Sequence, residues 1–549
     1  VIGPDLYSFR DLWWHYRQCR CNKRTTANAL AFEVDAEANL LALQQELRAH
    51  SYRPGRSICF ITDGPKPREV FAADFRDRVV HHLLVAYQER VFEPIFIHDS
   101  YACRKGKGTL AASDRLMRFL RQVTANSRRP AWALKLDVAN FFPSIHKVTL
   151  YAILARHTKH PEALWLTHTL LFHDPTSHYR FQSRKGYMPG PESPHYPVPS
   201  AKSLFGKHNQ RGLPIGNLTS QFWGNVYLNK LDHFVKRTLK CRYYLRYVDD
   251  MVLLGQDRKT LVQWVAAIEQ FLRERLKLTL RPELTAPFPV GKGIDFVGWK
   301  TGWNRRLPRR RTLGNMRARL EAFERVAVQT VQSGMAQRVD LRRQDKARSV
   351  ERLRAVLASY SGHLQHGTAW RTWEALWIKY PWLAALFVRA GWALEDRWSQ
   401  RRIARMPSFQ AQYWRLARHA GHDALVFFQV GRFVEFYGPQ RTAAAQILAL
   451  RTVALPRAGY AFTVGFPVHL SGLYTARALR QGLIVVEVRQ GLVRRGGGCI
   501  SRLPGAVVIP KIPPLDGPRR SFHRYVRLGL LPPDWAGPTH PLDGQRYSE

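Results

Sequence analysis

Three aspartates stand where their neighbours ask for burial. Asp137 closes the apolar run "AWALKLD", and Asp249 and Asp250 sit side by side in "YLRYVDDMVLLG", between two further apolar runs. Desolvation and like-charge repulsion both oppose that placement. If the strands carrying them are neighbours in one sheet, the carboxylates converge, and a divalent cation would neutralise them. Hard oxygen ligands suit Mg²⁺, or Mn²⁺ in its place; Mg²⁺ retains water and bridges substrate phosphates. Two such ions about 4 Å apart activate a hydroxyl and steady a leaving pyrophosphate in an in-line displacement. Taken alone, Asp-Asp at a hairpin tip is equally ordinary turn chemistry, because aspartate is common in turns.

The elements that must hold these residues are legible in outline. Residues 1–130 read as mainly helical, with basic and aromatic residues interleaved in "FRDLWWHYRQCRCNKR" and a short strand pair in "RSICFITDGPKPREVFAAD". Residues 131–145, "AWALKLDVANFFPSI", open with an apolar strand. The Pro-, Gly- and Lys/Arg-rich stretch 175–211 reads as a long exposed loop. "GNLTSQFWGNVYLNKLDHFVKRTL" has helical periodicity, the hairpin of Asp249 follows it, and another helix runs through "KTLVQWVAAIEQFLRERL". Basic helices are expected from Arg309 to about Arg401. Past Pro407 the pattern turns to short β-like runs, and no internal repeat is visible.

Composition narrows the partners. The chain has 549 residues, 85 basic against 41 acidic, for a net charge of +44. Residues 401–549 hold 21 basic and 7 acidic residues, so the excess is spread along the chain and favours a polyanion such as nucleic acid. The six cysteines, Cys19, Cys21, Cys59, Cys103, Cys241 and Cys499, include no CxxC pair, which argues against structural zinc and a disulfide framework and suits a reducing cytoplasm. No apolar run approaches membrane-spanning length, so no membrane partner is expected.

Four ordered segments carry a family resemblance. "LKLDVANFFPSI", "GLPIGNLTSQFWGNVYLN", "YYLRYVDDMVLLG" and "GIDFVGWKT" resemble successive motifs of reverse transcriptases, and "PREVFAADFRDRVVHHLL" with "FIHDSYACRKGKGTLAA" resembles the finger motifs of the bacterial branch. "IGNLTSQ" is similar to the signature of diversity-generating retroelements, whose enzymes copy a template RNA with frequent misincorporation opposite adenine. The resemblance implies a right-hand polymerase of α+β class, with fingers, a palm built on an antiparallel sheet, and a helical thumb. It assigns Asp137 and Asp249 as main metal ligands, helped by the Val138 carbonyl, with Asp250 supporting. Phe142 would be the gate that excludes a ribose 2′-hydroxyl. Arg68, with Lys66, would hold the incoming dNTP, although each is equally readable as a solvated charge, and Lys66 more so. Ile215, Gly216, Asn217 and Gln221 would line the nascent pair and template. Ile215 stands where many relatives have glutamine. Losing that amide removes a geometric check, or Ile215 is simply a packing variant. One departure is Leu284, which stands where the family often has a lysine that donates a proton to pyrophosphate; Arg281 or Lys292 could substitute.

A second resemblance begins at Met406. "MPSFQAQYWRLARHAGHDALVFFQVGRFVEFYGPQ", then "YAFTVGFPVHLSGLYTARALRQGLIVVEVRQ", are similar to the mismatch-recognition domain I of MutS, a small mixed α/β fold. There an aromatic ring wedges beside a mispair and a carboxylate hydrogen-bonds the base. The matching residues are Phe433 and Glu435; the plain alternative is a core aromatic and a surface charge. Arg432 replaces the family's aspartate, and no GxxxxGK[ST] follows, so ATP-driven signalling is not expected from these residues. The expected layout is fingers and palm at 1–300, thumb and connection at 301–405, a MutS-I-like module at 406–515 and a tail at 516–549. Expected partners are template RNA, cDNA, their RNA–DNA hybrid, dNTPs and either a small basic accessory protein or another retroelement factor. The rivals are a defence or intron-like reverse transcriptase and a nucleic-acid-binding scaffold that does not polymerise.

Overall fold

The computed structural model describes residues 5–21, 26–62, 66–182, 190–208, 210–331, 336–340, 350–396, 408–421, 424–453, 463–490 and 502–510. The fold is mixed α/β, in two compact units, Val1–Leu307 and Pro308–Glu549. Among the described residues no helix is long and apolar enough to cross a membrane.

The first unit opens with helices α1 (Phe9–Arg20), α2 (Ala27–Glu33) and α3 (Ala36–Arg48). Ser8 caps α1 by accepting the Asp11 N–H at 3.2 Å, satisfying one of the donors a helix start leaves free. Strands β1 (Ser57–Ile61) and β2 (Glu69–Ala72) then pair antiparallel, as the strand-pair reading expects. Helices α4 (Phe75–Phe92) and α5 (Thr109–Val123) lead to β3 (Trp132–Asp137). After α6 (Phe141–Ser144), α7 (Lys147–His157) and α8 (Pro161–Phe172), β4 (Tyr179–Phe181) joins β1 in parallel. The stretch expected as an exposed loop is therefore partly structural: it supplies β4, and Val198 and Ser203 are buried. Phe205 packs on Phe71 of β2 at a ring-centroid distance of 5.6 Å, and the Leu204 N–H donates to the buried Glu69 carboxylate at 2.9 Å. Residues 183–189 of that stretch lie outside the described residues.

Helix α9 (Leu218–His233) precedes the hairpin of β5 (Tyr243–Tyr247) and β6 (Asp250–Gly255), and α10 (Arg258–Arg275) follows, capped by Asp257. With β7 (Phe288–Pro289) these strands form a sheet in the order β5-β6-β3-β7. Strand alternation sends Leu134, Leu136, Tyr244, Met251 and Leu253 into one core with α9 and α10. Ala133, Leu245, Val252 and Leu254 enter a second core against α5. Both faces being covered, β6 reads as an unbroken apolar run rather than an alternating one. A short sheet of β8 (Ile294–Phe296), β9 (Trp299–Thr301) and β10 (Arg306–Pro308) follows.

The second unit joins helices and one large sheet. Its helices include α11 (Arg310–Ala327), α12 (Val350–Leu364), α13 (Trp370–Lys379) and α14 (Trp382–Leu386), and its strands begin with β11 (Val328–Val331), β12 (Ala336–Asp340) and the hairpin β13 (Phe387–Ala390) with β14 (Ala393–Asp396). Next come α15 (Phe409–Ala420), β15 (Ala424–Val430), β16 (Phe433–Phe436), α16 (Pro439–Leu448), β17 (Thr452–Val453), β18 (Thr463–Pro467), α17 (Ser471–Arg480), β19 (Ile484–Gln490) and β20 (Arg502–Pro510). The eight-stranded order is β11-β12-β20-β19-β15-β16-β18-β17. Residues from the expected thumb, β11 and β12, thus extend the sheet of the expected 406–515 module, through the β12–β20 pairing of Ala336 with Pro510 to Asp340 with Ala506. One apolar core likewise holds Leu320 and Trp373 together with Leu416 and Val486. Nothing in the run "VQTV" or "AQRVD" announces such a distant partner. The expected tail, 516–549, lies outside the described residues.

Candidate active site

The three aspartates of the sequence reading meet at one end of the β5-β6-β3 sheet. Asp137 is the last residue of β3 and Asp250 the first of β6, and they are direct cross-strand partners. Such partners project from the same face. Tyr247 pairs with Asp250 from the other side, which leaves Val248 and Asp249 as the two-residue turn. Val248 holds φ +55°. A β-branched residue in the left-handed region is strained, by about 1–3 kcal/mol, so surrounding contacts must impose that turn.

They do. Arg246, 0% exposed, lies beneath the turn and donates to the Val248 carbonyl at 2.9 Å. Its other N–H groups reach Asp232 at 2.7 and 2.6 Å, Asn225 at 3.1 Å and Ser100 at 3.2 Å. All five guanidinium donors are thereby used. Tyr244 donates to the same Asp232 carboxylate at 2.7 Å. The sequence signal was a lone arginine in "YYLRY", on the face where Tyr244 is buried.

The electrostatics of the cluster are those of crowded carboxylates. Burial and then the charge of Asp137 push Asp249 up to about 6. Burial pushes Asp250 up to about 7, against the pull of Lys135. Asp137 is also raised by burial, with Arg281, Lys135, Lys66 and Arg68 opposing. Lys135 sits 3.3 Å from Asp250, and Arg281 3.1 Å from Asp137. Lys135 was missed by the sequence reading, although two-residue alternation puts it on the face of Asp137. Arg281 also ties its N–H to the Asp137 carbonyl at 2.8 Å, and it is one of the two cations named as a substitute for the missing lysine.

Among the described residues no group of three or more His, Cys, Asp and Glu side chains is gathered as a metal cluster. Within the aspartate cluster, Asp137 Oδ1 and Asp250 Oδ1 nevertheless lack a hydrogen-bond partner although buried. Buried hard oxygen acceptors with surplus negative charge fit a divalent cation of the Mg²⁺ type.

The remaining sequence-predicted residues fall into two groups. Lys66 and Arg68, in the link from β1 to β2, act through space on Asp137, and Arg68 on Asp249. Ile215 accepts the Phe71 N–H at 2.8 Å, and the buried Asn217 side chain accepts the Ala73 N–H at 3.2 Å, so this turn is bolted to β2. Gly216, φ +122°, explains the glycine: a Cβ there would lie 2.8 Å from Val70 Cγ1 and 2.9 Å from the Phe71 carbonyl oxygen. Val138 is buried and bridges Leu280. Phe142 lies in α6 against Gly224 of α9. Gln221 is exposed on α9, its amide oxygen accepting from the Cys103 thiol at 3.4 Å.

Phe433 and Glu435 part company within the second unit. Phe433 is 49% exposed at the start of β16, after the Gly431–Arg432 turn. Glu435 is 5% exposed and accepts the Tyr437 hydroxyl. This reverses the plain alternative of a core aromatic and a surface charge. It also departs from a carboxylate presented to a base: Glu435 faces inward because Phe428 and Gly465 flank it on the neighbouring strands.

Residues 65–300 match the family described as "Reverse transcriptase (RNA-dependent DNA polymerase)". The chain carries a reverse transcriptase domain. That span contains Asp137, Asp249 and Asp250 with Lys66, Arg68 and the Ile215–Asn217 turn. Residues 407–494 match MutS domain I. A relative, the "Uncharacterized 91 kDa protein in cob intron" of Schizosaccharomyces pombe, is 24% identical over 186 residues, 34% of this chain and 19% of that protein. Similar solved structures include apo telomerase from Candida tropicalis, truncated from its C-terminal domain (TM-score 0.33, 10% identity, 50% of this chain and 60% of that one). Another is telomerase from Candida albicans with a fragment of telomeric RNA (TM-score 0.29, 11% identity, 57% and 56%). The chain spans less than two thirds of the length of each of these relatives.

Proposed function

We propose that the reverse transcriptase domain is an active RNA-directed DNA polymerase. The observation that carries this reading is the cross-strand pairing of Asp137 with Asp250, beside the Asp249 turn, inside the span that matches the polymerase family. Asp137 and Asp249, with the Val138 carbonyl and support from Asp250, hold divalent cations. Bound Mg²⁺ supplies charge neutralisation for the attacking 3′-oxygen and the departing pyrophosphate. Arg68 and Lys66 bind the dNTP triphosphate, and charge-assisted hydrogen bonds of this kind are the strong ones. The primer 3′-hydroxyl gives up its proton to water as its oxygen bonds to the α-phosphorus, the bond from that phosphorus to the oxygen bridging to the β-phosphate breaks, and pyrophosphate leaves. Arg281, beside Asp137, adds positive charge where that product forms. Phe142 excludes a 2′-hydroxyl, and Ile215 to Asn217 with Gln221 support the template side. Primer extension on an RNA template with Mg²⁺ and dNTPs tests this. Extension by the parent and none by Asp249→Ala is expected; no extension by either sinks it.

The finer reading is a diversity-generating retroelement enzyme, supported by Ile215 in "LPIGNLTSQ". An apolar side chain beside the nascent pair removes one hydrogen-bonded check, and a few kcal/mol of lost discrimination is about a hundredfold in error. The MutS-I-like part then binds the RNA–cDNA hybrid through the exposed Phe433 ring, replacing or assisting a small basic accessory protein. The cob-intron relative favours a second reading, an intron-type enzyme without a mutagenic role. Sequencing the cDNA separates them: adenine-directed errors belong to the first reading and an even spectrum to the second.

A further inference from the structure

Helix α1 buries one face and leaves a chemically specific one in solvent. Leu12, His15, Tyr16 and Cys19 turn inward, and the aromatic contacts of Tyr16 with Phe32 and Phe75 fix that rotation. Outward stand Arg10, Trp13, Trp14 and Arg17, at spacings i, i+3, i+4 and i+7, which is one stripe of a helix. Trp13 is 38% and Trp14 56% exposed. Trp13 rests on Phe9 and Tyr16, at centroid distances of 6.1 and 5.5 Å, so it is braced as a platform. Neither Arg10 nor Arg17 has an acidic partner among the described residues. At 1.5 Å per residue the two guanidinium groups start about 10 Å apart along the axis, one on each side of the indoles.

We infer that this stripe is a second RNA-binding site, taking an unpaired stretch of RNA whose bases stack on Trp13 and Trp14 while Arg10 and Arg17 meet the flanking phosphates. Exposed indoles alone would suit a protein partner equally well. The flanking arginines, on a chain of net charge +44, favour a polyanion. The position of α1 favours RNA near the copying site. Its last turn, at Cys19, lines a cleft of about 670 Å³ together with Arg78, Arg180, Gly216 and Asn217. The buried face of α1 therefore borders the cleft that the turn on the template side also lines, and template ahead of the copied base would pass around the helix to the stripe. That last step rests on the polymerase reading above; the stacking site does not.

The test uses the full chain and primer–template duplexes whose RNA template extends by 2 or by 12 nucleotides, with binding read by fluorescence anisotropy. A single-stranded RNA 12-mer is titrated separately with tryptophan quenching as the readout. The parent should bind the long extension about 10- to 100-fold more tightly than the short one, since each base–aromatic stack is worth about that much. Trp13→Ala/Trp14→Ala should erase the gain and the quenching. Arg10→Glu/Arg17→Glu should erase the gain and flatten the salt dependence. Extension of the 2-nucleotide template should stay at the parent rate in both. Trp14→Phe, which keeps a ring and spares the braced Trp13, should restore most of the gain and so excludes misfolding as the cause. The inference is overturned if the long extension gives the parent no advantage, or if both double variants keep it. It is equally overturned if the tryptophan variant binds RNA normally but loses self-association, which would assign the stripe to a protein contact. Binding needs no turnover, so a chain that binds in this way yet never extends a primer refutes the polymerase reading and leaves this one standing.

Discussion

Arg246→Lys probes whether a buried cation sets the catalytic turn. The guanidinium fills five hydrogen bonds inside the protein, to Asp232 twice, Asn225, Ser100 and the Val248 carbonyl. An ammonium has three donors on one atom and cannot span those acceptors. Asp232 is itself fully buried, so weakening its partner leaves an under-compensated charge. Removing one member of a buried pair costs about 3–5 kcal/mol, and lysine should forfeit roughly half of that. At about 2–4 °C per kcal/mol for a unit of this size, the first unit should melt roughly 3–10 °C lower. Activity should suffer separately. Without the bond to its carbonyl, Val248 can relax from φ +55° and carry Asp249 with it, and a displacement of about 1 Å costs on the order of a hundredfold in rate. Arg246→Met/Asp232→Leu separates the two effects. It removes both charges, so stability should largely return, whereas the Val248 carbonyl still lacks its donor and kcat in primer extension should stay low. Recovery of stability and kcat together, or an Arg246→Lys enzyme within about threefold of parent kcat, would refute the reasoning.

Asp249→Asn should raise the melting temperature in EDTA at pH 8 by a few degrees and change nothing near pH 4. The folded carboxyl titrates at about 6, above its unfolded value of 3.8, so the fold binds the extra proton between those values and loses stability as pH rises through that window. The amide removes a charge that is costly only above it. Gly216→Ala should lower stability by about 1–3 kcal/mol in thermal melts, because its Cβ would meet Val70 and the Phe71 carbonyl at φ +122°. An unchanged melt would mean that this turn is not held against β2. Phe433→Ala should leave the melting temperature within about 1 °C, since the ring is half exposed, while weakening binding to a mispaired duplex by 1–3 kcal/mol. Equal loss on paired and mispaired duplexes would remove any mismatch preference.

How much was legible follows from which forces are local. Apolar runs ending in aspartate announced β3 and the β5–β6 hairpin, and alternation alone could have added Lys135, because side-chain direction in a strand is set by the backbone. Gly216 entered through the family resemblance alone, and the reason for the glycine, the wall of Val70 and Phe71, needed the turn docked on β2. Nothing local distinguishes Arg246 from a surface charge in a strand; Asp232, from the preceding helix, closes on it only in the fold. The exposed Phe433 and the inward Glu435 share one face by spacing; only the neighbouring strands determined that the ring is left in solvent and the carboxylate covered. The sharing of one sheet by Ala336–Asp340 and Arg502–Pro510 was invisible for the same reason. Sequence by itself determined the elements, the charge and the identity of the acidic residues, since these depend on side-chain type and local periodicity. Which groups face one another was decided by tertiary structure, because cross-strand and helix-to-sheet contacts join residues whose separation along the chain leaves no local trace.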